Sequence, residues 1–255
     1  MLKRSTKYLY RNMLKYVGIR KKFCCICNKA VVGFLPYEGE FKNFSFTELK
    51  IVGSDVRNFM CPHCRCIDRE RHLFLYAKKL DLISKMSNAK ILHFAPEKNI
   101  SKIINEIKPS KYIKADLYPT SPDIQKIDML SIPFEDNTFD FVIANHVLEH
   151  VSDVSIALKE LNRILKIGGL GVLQTPYSSV LQNTFSDPGI SSDSARLNLY
   201  GQEDHVRVFG NDIFQIITSN GFKSRVCTHH EILYDIDPIQ YGVNVLEPLF
   251  LFEKI

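Results

Sequence analysis

The sequence predicts an α/β fold with a mostly parallel sheet, preceded by a module too small to hold itself together without a staple. Two observations carry this. From residue 90 onward, short apolar runs alternate with helical stretches; before residue 80, six of the seven cysteines crowd into CCICNK at 24–29 and CPHCRC at 61–66. A chain of 255 residues, 45% hydrophobic and 24% charged, has room for one large core and one such module.

The first expected element is a basic amphipathic helix over residues 1–22. Lys3, Arg4, Lys7, Arg11, Lys15, Arg20, Lys21 and Lys22 all precede the first acidic residue, Glu38, and without them the chain is slightly acidic. The formal charge of +5 is therefore a local arm, not the global field of a wholesale nucleic-acid binder. Leu9, Met13, Tyr16 and Val17 fall at helical spacing, a stripe that suits either an anionic lipid surface or docking on the chain's own domain. No run approaches the roughly 18 apolar residues of a membrane span, and the N-terminal stretch lacks the apolar core of a secretory signal. The expected compartment is the cytoplasm, with peripheral contact at the inner face of the membrane as the arm's role.

The module is expected over residues 23–80. Cys24 with Cys27 and Cys61 with Cys64 form two C-x-x-C pairs, and two such pairs on tight turns can set four thiolates around one tetrahedral ion. Zinc suits them, and with all four positions filled by protein its role is structural. Cys25, Cys66 and His63 stand near enough in sequence to substitute for one of the four. Disulfides are disfavoured in a reducing compartment, and incidental thiols are the remaining alternative.

The expected strands are residues 90–94, 111–117, 139–145, 169–175, 224–229 and 249–255, with helices near 99–107, 153–166 and 211–220. In such sheets ligands bind beyond the carboxyl ends of the strands, where strand order reverses. This rule selects the loops after residues 94, 115, 127 and 144.

Those loops carry a resemblance. The run DMLSIPFEDNTFDFVIANHVLEHVSDVSIALKELNRILKIGGLGVLQTPY, residues 128–177, is similar to the middle of a class I S-adenosylmethionine-dependent methyltransferase of the type 11 kind, with declining similarity over about 88–255. The resemblance implies a Rossmann-like sheet, mostly parallel with one antiparallel C-terminal strand, filling a methyltransferase domain over 81–255. It also implies S-adenosylmethionine as cofactor. The family's first strand normally ends in a glycine-rich turn; here His93 is followed by Phe94, Ala95, Pro96 and Glu97, so backbone approach should be tighter. HFAPE resembles a variant first motif found with an N-terminal cysteine-pair module. On this reading His93, Ala95 and Glu97 belong to the cofactor site, Glu97 reaching the methionine amino group or a ribose hydroxyl. Asp116, ending the second strand, is placed to bond ribose hydroxyls, or is a turn aspartate. By resemblance Asp128 binds the adenine amine, Met129 flanks the ring, and Asn145 closes the fourth strand.

For the acceptor side, His146 follows Asn145 at the mouth, and the long polar segment between Pro176 and Gly210 ends in YGQEDHVRVFG. Loops of that length in compact domains are usually functional or disordered. A hydroxyl acceptor must lose a proton, for which histidine is best matched at neutral pH. His205 is the expected general base, oriented by Asp204, with His146 as rival, and Arg207 or Gln202 gripping the substrate. Glu149 and His150 are expected to shape the turn. The alternative for the whole cluster is a salt-bridged loop anchor.

The leading expectation is O-methylation of a small molecule or a glycan intermediate, the glycan resting on the polar lid, the arm and the family's association with surface-polysaccharide biosynthesis. RNA methylation is the alternative enzyme, with the arm and zinc module as a phosphate clamp and Phe41, Phe44 and Phe46 stacking bases. A binding protein that kept the fold after losing chemistry is the alternative outside catalysis.

Overall fold

The computed structural model describes residues 22–38 and 48–255. The arm ahead of Lys22 and Phe41, Phe44 and Phe46 lie outside the described residues. Among the described residues no helix is long and apolar enough to cross a membrane.

The module opens with β1 (Lys22–Cys24) and β2 (Lys29–Val31), an antiparallel hairpin whose turn carries the first cysteine pair, followed by β3 (Ile51–Val52). Two helices follow, α1 (Asp68–Lys79) and α2 (Leu82–Met86). Glu70 at the third position of α1 accepts the Ile67 amide at 2.8 Å, satisfying one of the orphan donors at the helix start. Then come β4 (Lys90–Phe94), α3 (Lys98–Glu106), β5 (Lys111–Asp116), β6 (Gln125–Lys126), β7 (Phe139–Ala144), α4 (Val154–Ile164) and β8 (Leu165–Val172). The C-terminal part holds β9 (Tyr177–Ser178), α5 (Asp193–Tyr200), α6 (Ile213–Thr218), β10 (Phe222–Ser224), α7 (His229–Ile232), α8 (Pro238–Tyr241) and β11 (Leu251–Lys254).

Seven strands form one sheet in the order β10, β11, β8, β7, β4, β5, β6. Contacts from β8 through β6 are parallel, whereas β11 runs antiparallel to both β8 and β10. The expected mostly parallel Rossmann-like sheet with one reversed C-terminal strand is the observed one. Both faces are covered, so interior strands read as continuous apolar runs. In β4 and β7 the alternation of side chains sends Leu92, Phe94, Val142 and Ala144 into a core with α4 and α6. Ile91, Phe141 and Ile143 enter a second core with α1, α2 and α3. Helix α4 joins the first core by presenting Ala157, Leu158, Leu161 and Ile164 on one buried face, after Asp153 caps its start by accepting the Ile156 amide at 3.0 Å.

The expected strand over 224–229 is shorter and earlier. Regular pairing covers Phe222–Ser224, and Cys227 keeps only an isolated bridge to Leu249 because the ladder turns irregular after Arg225. The long segment after Pro176 is ordered: β9 pairs antiparallel with β3 of the module, and α5 is capped by Ser192 and closed by Gly201 in the left-handed region. Helix α1, inside the span expected of the module, packs through Leu75, Tyr76 and Ala77 in the second sheet core.

Candidate functional site

Strand order reverses between β4, which continues to β5, and β7, which continues to β8, so the crevice lies between Ala95 and Asn145. The chain bends at once after β4: Ala95 takes φ +46°, the left-handed turn that glycine adopts without cost, while its amide donates to the Ala115 carbonyl at 2.9 Å. Glu97 then turns back into the crevice. Its Oε2 lies 3.0 Å from His93 Nε2, and Oε1 accepts a hydrogen bond from Asn145 Nδ2, so one carboxylate ties the two strand ends together. Burial pushes the Glu97 carboxyl up, but the hydrogen bond and charge of His93, with nearby Arg69, together hold the group below its ordinary value.

This redraws one expected role, that of His93. Each oxygen of Glu97 has one protein partner, which ties the carboxylate to the scaffold and leaves a lone pair on each oxygen for a further donor. His93 is fully buried and spends its other nitrogen on the Tyr112 hydroxyl at 2.8 Å, so it positions Glu97 from behind and does not face the crevice. Asn145, 4% exposed, has an Oδ1 with no partner. Asp116 and Asp128 each accept a turn amide through Oδ1, from Tyr118 at 2.8 Å and Leu130 at 2.9 Å. Among the described residues their Oδ2 atoms carry no hydrogen bond. Met129 is buried beside Asp128.

Beyond Asn145 the structure assembles a buried chain of histidines and glutamates. His146, in the left-handed region at φ +56°, has Nδ1 3.3 Å from Glu149 Oε1 and Nε2 3.5 Å from Glu247 Oε1. Glu247 in turn stands 3.6 Å from His72 Nδ1 and accepts from Gln174 Nε2 at 3.1 Å. His72 Nε2 lies 3.1 Å from His229 Nδ1, and His229 Nε2 donates to the Ile236 carbonyl at 3.0 Å. Burial and nearby Arg69 push the His146 imidazole down, but its two carboxylate neighbours prevail and raise it. Burial likewise opposes ionisation of Glu149, yet His146 brings it down to about 2, and Glu247 is lowered by the same pairing with His146 and His72. Arg69, His72, Tyr76, Asn145, Gln174 and Glu247 line a narrow cleft with about 10 Å³ of free space.

The acceptor-side expectations are partly redrawn. His205 is 4% exposed; its Nδ1 donates to the Tyr200 carbonyl at 3.1 Å, so Nε2 holds a lone pair, and that atom is buried without a partner. Burial lowers its pKa. Asp204 does not orient it, because successive residues there face different ways: the Asp204 carboxylate pairs with His150 Nδ1 at 3.2 Å. His150 packs edge-on against His205 with ring centroids 4.7 Å apart. Arg207 is buried and donates to the carbonyls of Leu148, Val151 and Ser152, so it fixes the loop after β7 instead of holding substrate. Gln202 is exposed and accepts the His205 amide through its carbonyl.

The thiols meet as their spacing demands. The sulfur atoms of Cys24, Cys27, Cys61 and Cys64 all lie within 4.8 Å of one another, with Cys24 to Cys64 at 3.7 Å and Cys27 to Cys61 at 3.9 Å. Four sulfurs about 2.3 Å from one ion in a tetrahedron stand about 3.8 Å apart. Cys66 also approaches Cys24, at 3.4 Å, while Cys25 turns away to the Arg71 carbonyl.

Sequence reasoning missed Arg69, His72, Gln174 and Glu247. The burst DRERH after the second cysteine pair was the available signal, since charges there sit on a helix whose Asp68, Glu70, Arg71 and His72 are all buried.

The sequence model of the family described as "Methyltransferase domain" matches residues 99–173, overlapping the segment that carried the resemblance. Over 43 residues the chain is 51% identical to the demethylmenaquinone methyltransferase of Staphylococcus haemolyticus (strain JCSC1435), covering 17% of this chain and 18% of that protein. Against the Staphylococcus aureus (strain JH9) enzyme of that name it is 51% identical over 45 residues, 18% of this chain and 19% of the other. The chain thus spans under a fifth of the length of these curated relatives. Similar solved structures include an S-adenosylmethionine dependent methyltransferase from Mesorhizobium loti, 13% identical with a TM-score of 0.45 over 69% of this chain and 96% of that one. Another is the trans-methyltransferase CalH in complex with SAH, 17% identical with a TM-score of 0.44 over 71% of this chain and 58% of that one.

Proposed function

We propose that this chain, whose residues 99–173 carry a methyltransferase domain, is an S-adenosylmethionine-dependent methyltransferase that modifies a hydroxyl of a small molecule or glycan intermediate. One observation carries the reading. Among the described residues the buried side-chain atoms without a hydrogen-bond partner are Asp68 Oδ1, Arg69 Nε, Asn145 Oδ1, His146 Nε2 and His205 Nε2; of these, Arg69 and Asn145 line the cleft and His146 follows Asn145 at its end, in the adjoining buried network. A folded protein rarely leaves such atoms unpaired, and the meeting of these three residues at one strand-end crevice is what a ligand site requires.

The residues present fit the cofactor. Asn145 Oδ1 is an acceptor for an ammonium group, and the spare oxygens of Asp116 and Asp128 suit ribose hydroxyls and the adenine amine. Ala95, small and already in the left-handed turn, leaves the backbone approachable. When bound, S-adenosylmethionine supplies an electrophilic methyl group; the protein's work is to hold and orient its partner and to manage the acceptor's proton. His146, held between Glu149 and Glu247, keeps its proton. His205 has the unengaged Nε2 lone pair and is therefore the proton-accepting imidazole of this face.

The four clustered cysteines support a structural zinc, and the basic arm supports attachment near a lipid-linked acceptor. Titration calorimetry of zinc-replete protein with S-adenosylmethionine and S-adenosylhomocysteine tests the reading. Binding that Asp116→Ala and Asp128→Ala each abolish is expected. An intact, folded protein that binds neither compound refutes it.

A further inference from the structure

We infer that Glu149, His150 and His205 form a second metal site, one that takes a divalent first-row transition cation and leaves coordination positions open toward the acceptor. One ligand atom from each residue lies within 4.8 Å of the others. Both histidines are already set in the tautomer a metal needs. The Tyr200 carbonyl holds the proton of His205 on Nδ1, and the Asp204 carboxylate faces His150 Nδ1, so in each ring Nε2 is left as the donor. Metal-binding imidazoles are characteristically fixed in this way by an oxygen acceptor on the far nitrogen. Glu149 is 1% exposed and steadied through Oε2 by the Thr175 hydroxyl at 2.8 Å. Each of its oxygens keeps a lone pair for a further partner.

The independent sign of a ligand is His205 itself. Its side chain is 96% buried by its 4% exposure, and its Nε2 finds no partner. Burying an imidazole lone pair unsatisfied costs stability, and nearby His150 cannot relieve it, since its own Nδ1 is directed to Asp204. Two imidazoles and one carboxylate favour manganese, iron, cobalt or zinc over magnesium or calcium, and three protein ligands leave sites for water or substrate oxygen.

For catalytic meaning this rests on the methyl-transfer reading. Held by Glu149, His150 and His205, such a cation would make a bound hydroxyl more acidic, so that its proton could pass to solvent near neutral pH. With the site filled, His205 would act through the cation; its role as proton acceptor belongs to the metal-free protein. Asp204, expected to orient His205, has the positioning role on His150 instead.

The test uses full-length protein with its thiolate cluster filled with zinc, titrated with Mn²⁺ alone and followed by loss of the free-ion paramagnetic resonance signal. Mn²⁺ prefers nitrogen and oxygen donors and leaves the thiolates to zinc. One Mn²⁺ per chain is expected. His150→Ala, at a side chain 32% exposed, should abolish binding. Asp204→Ala, 71% exposed and remote from any core, should weaken it by about 10- to 100-fold with an unchanged melting temperature. Asp116→Ala should bind Mn²⁺ as the parent does. Absence of Mn²⁺ binding, or binding indifferent to both the His150 and Asp204 changes, overturns the site. Because no cofactor is present in the assay, loss of S-adenosylmethionine binding would refute the functional reading alone.

Discussion

Replacing Arg71 with lysine tests how the cysteine module is joined to the sheet. Arg71 is fully buried, and its guanidinium serves five carbonyls. Nε donates to Tyr241 at 2.9 Å, one terminal nitrogen to Phe59 at 3.3 Å and Cys66 at 3.2 Å, and the other to Asn58 and to Gly242 at 2.7 Å. Three of these carbonyls flank the second cysteine pair and two end α8. The guanidinium also stacks 3.8 Å from the centre of the Phe34 ring. Gly242 can come this close only because it lacks a side chain: a Cβ there would stand 2.4 Å from Phe34, and its φ is +60°. Lysine keeps the charge but offers three donors from a single point, so at least two buried carbonyls lose theirs. At about 1–1.5 kcal/mol for each lost bond, Arg71→Lys should destabilise by about 2–3 kcal/mol. Urea unfolding with zinc held in excess measures this as a lower midpoint at unchanged slope. A loss below about 1 kcal/mol would refute the reasoning, because it would mean that the carbonyls are satisfied without the fork.

Two further outcomes follow from single positions. Ala95→Gly should stabilise the protein by about 0.5–1 kcal/mol, the relief of a left-handed alanine less glycine's added unfolded-state entropy; thermal unfolding that moves downward would show that the Ala95 methyl is packed and not strained. Asp68, 1% exposed with Oδ1 unpartnered, is raised by burial, and secondarily by Glu247, to about 6. Its folded pKa thus exceeds the unfolded value, so the folded state binds the extra proton and stability falls as pH rises from about 4 to 6. Asp68→Asn should flatten that window and gain on the order of 2 kcal/mol at pH 7; a stability curve with the parent's slope there would remove the assignment.

The parts that were legible in the sequence are those in which a single local signal decides. The strand starting at Lys90 and the one starting at Lys111 are apolar because both faces of an interior parallel strand are covered, so composition alone marks them. The cysteine pairs were equally plain, since a C-x-x-C turn carries its geometry within four residues; the four expected sulfurs converge, with Cys66 beside Cys24 as a fifth. The strand expected over 224–229 was misplaced because β10 is an edge strand, where alternation gives way to an irregular ladder that no run of residue types announces.

The site was half legible for a related reason. Asp128, Asn145 and His146 sit at strand ends, where topology alone says a ligand belongs. The pairings among the acidic and basic residues are set by tertiary approach. Asp204 and His205 are chain neighbours, yet the carboxylate reaches His150 while the imidazole turns to Tyr200. Glu247, the hub between His146 and His72, comes from the last connection before β11 and has no motif around it. His72 lies on α1, within the stretch the cysteine spacing had assigned to the module. The span expected of the module thus reaches into the sheet: through Glu70, which accepts the Asn99 amide at 3.0 Å just after the HFAPE turn, and through His72 on Glu247, α1 touches both that turn and the buried histidine and glutamate network. A segment joined to the cysteine cluster that supplies buried partners to the crevice accounts for a first loop without glycine. Its shape is enforced from outside by Glu70 and from within by the His93, Glu97 and Asn145 link, so Ala95 is held in a turn that its own backbone preference opposes.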